Sequence, residues 1–196
     1  MSPRDDSRDP LAGREALVCV CGGIAAYKSA ALVSRLVQRG CGVSVAMTRN
    51  ARRFVGPLTF EALCGRPVAL SMWRGRGRIE HLSLTERAEL VVVAPATANI
   101  IAKLAQGIAD ELVSTLLLGA PGPVLLAPAM NTRMWQHPAT QRNVARLRED
   151  GHLLVGPEEG WQACGAVGPG RMAEPEAIVD AIARFFAEHP PRSREG

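Results

Sequence analysis

The residues best suited to chemistry fall in two stretches. In Pro128-Ala129-Met130-Asn131-Thr132-Arg133-Met134-Trp135, an asparagine amide, both donor and acceptor, stands among two methionines and a tryptophan. Such a surface suits a flat ring and a polar substrate; the alternative is a buried crossover loop whose Met and Trp side chains fill core. The second stretch, Ala163-Cys164-Gly165-Ala166-Val167-Gly168-Pro169-Gly170-Arg171-Met172, carries a thiol in a glycine-rich loop able to close over a ligand. A thiol with pKa near ~8.5 can donate a proton around neutral pH, where a serine hydroxyl cannot. His81 precedes a short helical stretch, either as a proton carrier or as a structural hydrogen-bonding residue. Thr48, Thr97 and Asn99 offer hydroxyls and an amide just after apolar runs, and Gly22-Gly23 lets backbone come close to a ligand.

Each of these groups needs an element to hold it. The apolar run Val124-Leu125-Leu126-Ala127 has strand length and stops at Pro128, so Asn131 lies beyond the carboxyl end of a strand, where open α/β sheets collect ligands. Leu17 to Val20, Gly22-Gly23 and then Leu32, Val33, Leu36 and Val37 at helical spacing, ending at Gly40, predict strand, glycine turn and helix. The amino end of that helix favours an anion. The GxGxxG spacing is absent, however, and close packing of helix on sheet can also demand glycines there. Gly42 to Met47 predicts a second strand, followed by a helix starting near Asn50, another opening at Pro57 and a short strand at Val68 to Leu70.

Leu90 to Ala94 is continuous and β-branched, as central parallel strands are when covered on both faces. Pro95-Ala96-Thr97-Ala98-Asn99 ends it, either binding the edge of a heterocycle or capping a helix through Thr97 or Asn99; the two roles are compatible. Helices are expected over Ile100 to Gln106, Glu111 to Leu118 and Pro138 to Asp150, with a last strand at His152 to Val155. Gly156 to Met172 reads as a long loop, of the kind that is often functional. Glu174-Pro175 opens a final helix with Ile178, Val179, Ile182, Phe185 and Phe186 on its apolar face. Strand and helix alternating about six times predict an α/β protein with a doubly wound parallel sheet in three α/β/α layers.

At 196 residues and 47% hydrophobic content the chain fits one domain, expected over residues 15–188, with a disordered polar leader at 1–14 and a tail at 189–196. Lys+Arg 23 against Asp+Glu 19 leaves +4, a mild excess rather than the basic stripe of a nucleic-acid binder. Part of it lies in Arg74, Arg76 and Arg78, which either meet a phosphate-bearing substrate or form a solvated loop. No apolar run approaches the ~20 residues of a membrane span, and Asp5, Asp6 and Asp9 are unlike a signal peptide, so a cytoplasmic protein is expected. Cys19, Cys21, Cys41, Cys64 and Cys164 lack CxxC spacing, which argues against zinc, and Cys19 and Cys21 read as small buried apolar residues.

Together, the PxMNxxMW pattern at Pro128 to Trp135 and the ACGxxGxGRM pattern at Ala163 to Met172 resemble the flavin-dependent cysteine decarboxylases. The resemblance runs from about Leu17 to Phe186 and includes Gly22-Gly23-Ile24-Ala25-Ala26-Tyr27-Lys28, the His81 segment and Pro95 to Asn99. It implies a Rossmann-like (flavodoxin-like) subunit that binds FMN and assembles as a trimer or a multiple such as a dodecamer, with flavin and substrate at subunit contacts. His81 then matches the active-site histidine, Asn131 the asparagine that binds the substrate carboxylate, and Cys164 the clamp cysteine. FMN would be held by Gly22, Gly23, Ile24, Ala25, Thr48, Phe54, Thr97, Ala98, Asn99 and Met130. Substrate would meet Asn131, Met134, Ala163, Cys164, Gly165, Arg171 and Met172, and no metal is implied.

The implied activity is FMN-dependent decarboxylation of phosphopantothenoylcysteine to phosphopantetheine in coenzyme A biosynthesis. A cysteine-derived carboxylate has no electron sink beside it, so direct loss of carbon dioxide would leave an unstabilised carbanion. Two-electron oxidation at the thiol carbon gives a thioaldehyde that accepts those electrons as an enethiolate. Return of a hydride, with a proton from an acid such as Cys164, completes the product without net redox change. Rival readings are decarboxylation of a carboxy-terminal peptidyl cysteine and a noncatalytic flavin-binding regulatory protein; the second predicts erosion of His81, Asn131 or Cys164. A flavodoxin-like electron carrier would be acidic, against a pI of about 9.1 here. Because the chain stops at Gly196, the synthetase that makes the substrate is expected to be a separate partner.

Overall fold

The computed structural model describes residues 9–72, 80–163 and 165–191, with the backbone alone at 80–82. Five parallel strands form one sheet: β1 (Glu15–Val20), β2 (Gly42–Met47), β3 (Leu90–Ala96), β4 (Val124–Pro128) and β5 (Leu153–Leu154), in the order β2-β1-β3-β4-β5. Alternate side chains of a strand face opposite sides. Val18 and Val20 of β1 therefore join one core with Val45, Val92 and Leu125, while Leu17 and Cys19 join another with Val91, Val93 and Leu126.

Helices cover both cores. Leu32, Val33 and Leu36 of α1 (Ala26–Gln38), Phe60 of α2 (Pro57–Cys64) and Ile178, Ile182 and Phe186 of α8 (Pro175–Glu188) close the first. On the other face lie α3 (Glu80–Arg87), α4 (Ala98–Gln106), α5 (Leu112–Leu118) and α7 (Pro138–Glu149), through Leu84, Ile100, Ile101, Leu116, Val144 and Leu147. This is the expected doubly wound three-layer sheet, and its flavodoxin-like strand order puts a switch point between β1 and β3.

Several boundaries differ from the sequence reading. Val68 to Leu70 contributes only a single bridge, Ala46 to Ala69, so the sheet has five strands rather than about six. The helix expected near Asn50 is one 3-10 turn, Ala51–Arg53. Gly156 to Met172 contains an antiparallel hairpin, β6 (Glu158–Trp161) with β7 (Val167–Arg171). Its strands lack apolar alternation because neither face meets a core. Gly160, Gly168 and Gly170 take φ of 151°, 153° and 141°, a backbone that side chains disfavour. A short helix, α6 (Thr132–Gln136), follows β4.

The leader expected to end at Arg14 is folded from Asp9 onward. Leu11 is buried, and the Asp9 carboxylate accepts from Arg39 Nε at 2.7 Å and Nη2 at 2.9 Å. Buried Arg14 donates from Nε to Glu89 at 2.9 Å and from Nη1 to the carbonyls of Phe186 at 2.9 Å and His189 at 3.0 Å. A polar composition concealed this segment, because its anchor is one leucine and its other partners are distant in sequence.

Candidate active site

Because all five strands are parallel, the loops after β1, β2, β3 and β4 gather at one edge of the sheet. They surround a cavity of about 1020 Å³, closed on another side by the hairpin. That is at the upper end of the range for small-molecule sites and has room for a cofactor beside a substrate.

The first loop supplies Gly22, Gly23, Ile24 and Ala25, all of which line the cavity. A Cβ on Gly22 would lie 2.4 Å from Asn50 Cβ, so glycine is required for the turns after β1 and β2 to touch. Ala25 precedes α1 with no side-chain cap, and no acidic residue occupies the first turn. No side chain therefore competes at this helix end with an anion from the cavity, while the Ala26 and Lys28 amides donate to the Gly23 and Ala25 carbonyls at 2.9 and 3.0 Å. Lys28 stands in the same turn, its side chain 11% exposed, and donates to the Met172 carbonyl at 3.2 Å and to Glu174 at 2.7 Å.

Thr48, Thr97, Ala98 and Asn99 line the next walls. Thr97 caps α4, its hydroxyl accepting from the Ile100 amide, and Thr48 Oγ1 accepts from the Ala51 amide at 3.2 Å. Both hydroxyls keep their proton to donate, so capping and ligand binding coexist. The Cys21 thiol also faces the cavity floor, where burial pushes its pKa far up; it stays protonated and inert.

After β4, Asn131 is the cap of α6. Its Oδ1 accepts from the Met134 amide at 2.8 Å, which commits the acceptor to the helix and turns the donor end of the amide outward. Asn131 is exposed and lines the cavity. The methionine and tryptophan side chains serve both alternatives: Met134 lines the cavity, Trp135 packs against the core beneath α4, α5 and α7, and Met130 does both.

The hairpin adds Trp161, Gln162, Ala163, Gly170 and Arg171. Arg171 donates to Glu174 at 3.0 Å, so Glu174 is shared with Lys28; the Lys28 hydrogen bond, with Arg171 adding to it, holds the Glu174 carboxyl below its usual range. On the opposite wall Lys103 pairs with Asp110 at 2.6 Å, and the Glu111 carboxylate accepts two amides at the start of α5. Among the described lining residues, Lys28, Arg49, Lys103 and Arg171 stand with one acid, Glu111; Glu174 and Asp110, which pair with three of these cations from outside the lining, reduce the balance to a mild positive excess.

Not every expected site residue reaches this cavity. Phe54, 48% exposed, follows the 3-10 turn and is not among the residues lining it; Gly165 is not either. Met172 points away into the core and is buried. Cys164, the His81 side chain and Arg74, Arg76 and Arg78 lie outside the described residues. Arg49, Lys103, Glu111 and Gln162 line the cavity without having been singled out in the sequence. Lys103 lies four residues beyond Asn99 on α4, the one sequence signal that could have found it.

Comparison with known proteins adds the following. The sequence model of the Flavoprotein family matches residues 5–187. The coenzyme A biosynthesis bifunctional protein CoaBC of Bacillus subtilis is 49% identical over 188 residues, covering 95% of this chain and 46% of that protein. CoaBC of Escherichia coli K12 is 48% identical over 178 residues, covering 89% and 44%. The chain therefore spans a little under half the length of these relatives. Among solved structures, a PPC decarboxylase mutant complexed with pantothenoylaminoethenethiol superposes with a TM-score of 0.79 at 31% identity, covering 90% of this chain and 99% of that one. The FMN-dependent cysteine decarboxylase SpaF gives 0.78 at 33% identity, covering 90% and 99%.

Proposed function

The chain belongs to the flavoprotein family, and from that premise we propose that it decarboxylates phosphopantothenoylcysteine to phosphopantetheine in coenzyme A biosynthesis, with FMN as its resident cofactor. The observation that carries this reading is the cavity in which the end of α1 that no side chain caps, the Thr97 to Asn99 loop, Asn131 and the hairpin meet. A flavin phosphate fits the amides after Gly22-Gly23 and the Thr48 hydroxyl, and the donors at Thr97 and Asn99 suit the polar edge of a ring. When bound, FMN supplies a reversible two-electron acceptor for the thiol carbon.

The chain's own residues do the rest. The outward amide donors of Asn131 hold the substrate carboxylate, and Lys28 and Arg171, two cations sharing the one carboxylate of Glu174, favour a substrate that also carries a phosphate. His81 exchanges the thiol proton, and Cys164 protonates the carbon left by carbon dioxide, so that the enethiolate is reduced rather than released. Met134 and Trp161 wall the cavity with apolar surface that limits water.

The subunit is proposed to assemble as a homotrimer or a multiple of trimers, up to a homododecamer, in the cytoplasm. Ile24 and Tyr27 support this: they rim the cavity yet are 62% and 63% exposed. A single-subunit mass by light scattering would remove that part. No helix among the described residues is long and apolar enough to cross a membrane. A synthetase, on the same or another polypeptide, provides the substrate.

The test is to purify the protein, record its visible spectrum, and measure carbon dioxide release from phosphopantothenoylcysteine, its unphosphorylated analogue and a peptide ending in cysteine. A yellow protein that prefers the phosphorylated substrate is expected. Preference for the peptide would move it to the peptidyl-cysteine enzymes. A colourless protein that takes up no FMN would end the reading.

A further inference from the structure

Two strands and one turn make the wall that closes the cavity, moored at their open end by the Glu158 carboxylate, which accepts the Glu174 amide at 3.2 Å, and nearer the turn by Gln162. The β6–β7 hairpin lies outside the main sheet, so no strand pairing fixes it to the domain. It rests instead on the segment Met130 to Thr132. The Met130 amide donates to the Gly170 carbonyl at 3.0 Å, and a Cβ on Gly170 would stand 2.2 Å from the Met130 carbonyl oxygen. Gly168 packs on the Thr132 side chain, where a Cβ would meet Oγ1 at 2.8 Å. Backbone on backbone at this distance gives a close fit but little apolar burial, and attachment then depends on hydrogen bonds.

Gln162 supplies them from a buried position, 8% exposed. Its Oε1 accepts the Thr132 amide at 3.1 Å, one of the donors that the first turn of α6 leaves over. Its Nε2 donates to Thr132 Oγ1 at 3.0 Å and to the Pro169 carbonyl, on the facing strand, at 3.3 Å. The main chain of the same residue closes the hairpin turn: its amide donates to the Ala166 carbonyl and its carbonyl accepts from the Gly165 amide, each at 2.8 Å. One side chain therefore ties both hairpin strands to the residue next to Asn131, two positions before Cys164 in the sequence. Only an amide can do this, since a carboxylate lacks the donors and a methionine lacks both functions.

We propose that Gln162 is a positioning residue, a latch that holds the hairpin against the Asn131 loop so that substrate stays enclosed from its oxidation to its final protonation. The reaction rests on the function proposed above; the latch itself is a property of the fold. With the latch weakened, the hairpin opens before the enethiolate is reduced, and the half-finished product escapes.

The experiment compares hydrogen exchange of the FMN-loaded parent, Gln162→Met and Thr132→Val, followed by mass analysis of the products each forms from phosphopantothenoylcysteine. Gln162→Met should raise exchange in peptides spanning 158–171 by roughly ten-fold or more while β1, β3 and β4 keep parental protection. It should also release a mixture of phosphopantetheine and the enethiol lighter by a pair of hydrogens. Thr132→Val, which removes one latch acceptor and keeps the amide, should shift both readouts in the same direction but less. Thr132→Ser, which restores the hydroxyl, should return both to parental values. Parental exchange in 158–171 for Gln162→Met, or for Thr132→Val should Gln162→Met not yield folded protein, overturns the latch. So does faster exchange spread evenly over the sheet, the mark of a merely structural residue. If the parent itself releases no carbon dioxide, the functional reading fails and the exchange comparison still decides the latch.

Discussion

Under the proposed function Asn131 serves structure and chemistry at once. Its oxygen caps α6 while the residue lines the cavity, so the cap would leave the amide donors for substrate. Asn131→Asp separates the two roles, because aspartate caps a helix as well as asparagine does but replaces the outward donors with negative charge. We expect a melting temperature close to the parent and a loss of roughly 10²-fold or more in decarboxylation, the scale of one misplaced polar group at a reacting carboxylate. Comparable losses of stability and activity would assign Asn131 to the fold alone. For Cys164→Ser the expected result is a change of product, not a silent enzyme: carbon dioxide appears, the flavin absorbance stays bleached under anaerobic conditions, and the enethiol accumulates. Parental yields of phosphopantetheine would assign the proton to another group.

At the scale of elements, the first residue of β4 depends on a histidine 28 residues further along the chain, beyond α6 and α7. His152 Nδ1 accepts from the Val124 amide at 3.0 Å, and burial holds the His152 pKa below its usual 6.5. The acceptor exists only in the neutral ring. A depressed histidine pKa means that the unfolded chain binds the proton more readily, so stability from this contact is complete above about pH 6.5 and declines as pH falls through the lower folded value. The carboxylates with lowered pKa, Asp9, Asp110 and Glu174, start from usual values of 3.8 to 4.5 and lose their contribution only in more acid solution. His152→Asn keeps an acceptor oxygen without titrating, and melting curves between pH 8 and 5 should show a flatter acid limb for it than for the parent. Parallel curves would place the titration elsewhere.

Over the whole molecule, Arg14 joins the two ends of the chain. Its guanidinium lies 4.2 Å above the Phe186 ring, donates to the carbonyls of Phe186 and of His189 just beyond α8, and pairs with Glu89, which also accepts from the Glu15 amide at 3.1 Å. Both side chains of the pair are nearly dry, at 8% and 13% exposure. Arg14→Met should therefore cost about 3–5 kcal/mol in urea unfolding, because it strands a buried carboxylate and two carbonyls. Since Arg14 directly precedes β1, at the edge of the sheet opposite the one where the loops after the strands gather, the flavin spectrum below the unfolding transition should be unchanged. A midpoint within error of the parent would show that solvent replaces Arg14 without loss.

The sequence by itself determined the layers and the edge at which ligands gather. Apolar runs at Gly42 to Met47 and Leu90 to Ala94, separated by helical periodicity, are local signals, and local signals suffice for a parallel sheet whose strands are buried on both sides. The resemblance carried by Pro128 to Trp135 and Ala163 to Met172 pointed to the family for the same reason: contiguous motifs are legible one residue at a time. Tertiary structure decided what depends on residues far apart in the chain. Leu11 and Arg14 are folded because α8 and Glu89 arrive beside them, and no pattern within residues 9–14 announces that. Glycine-rich β6 and β7 become strands because they lie on Met130 to Thr132, where backbone contact replaces the apolar alternation that a sequence reading needs. The charge balance of the cavity belongs to this class too, since Lys28, Arg49, Lys103 and Arg171 come from three helix-bearing loops and a hairpin, and they meet each other and their Glu174 and Asp110 partners only where the sheet edge brings them together.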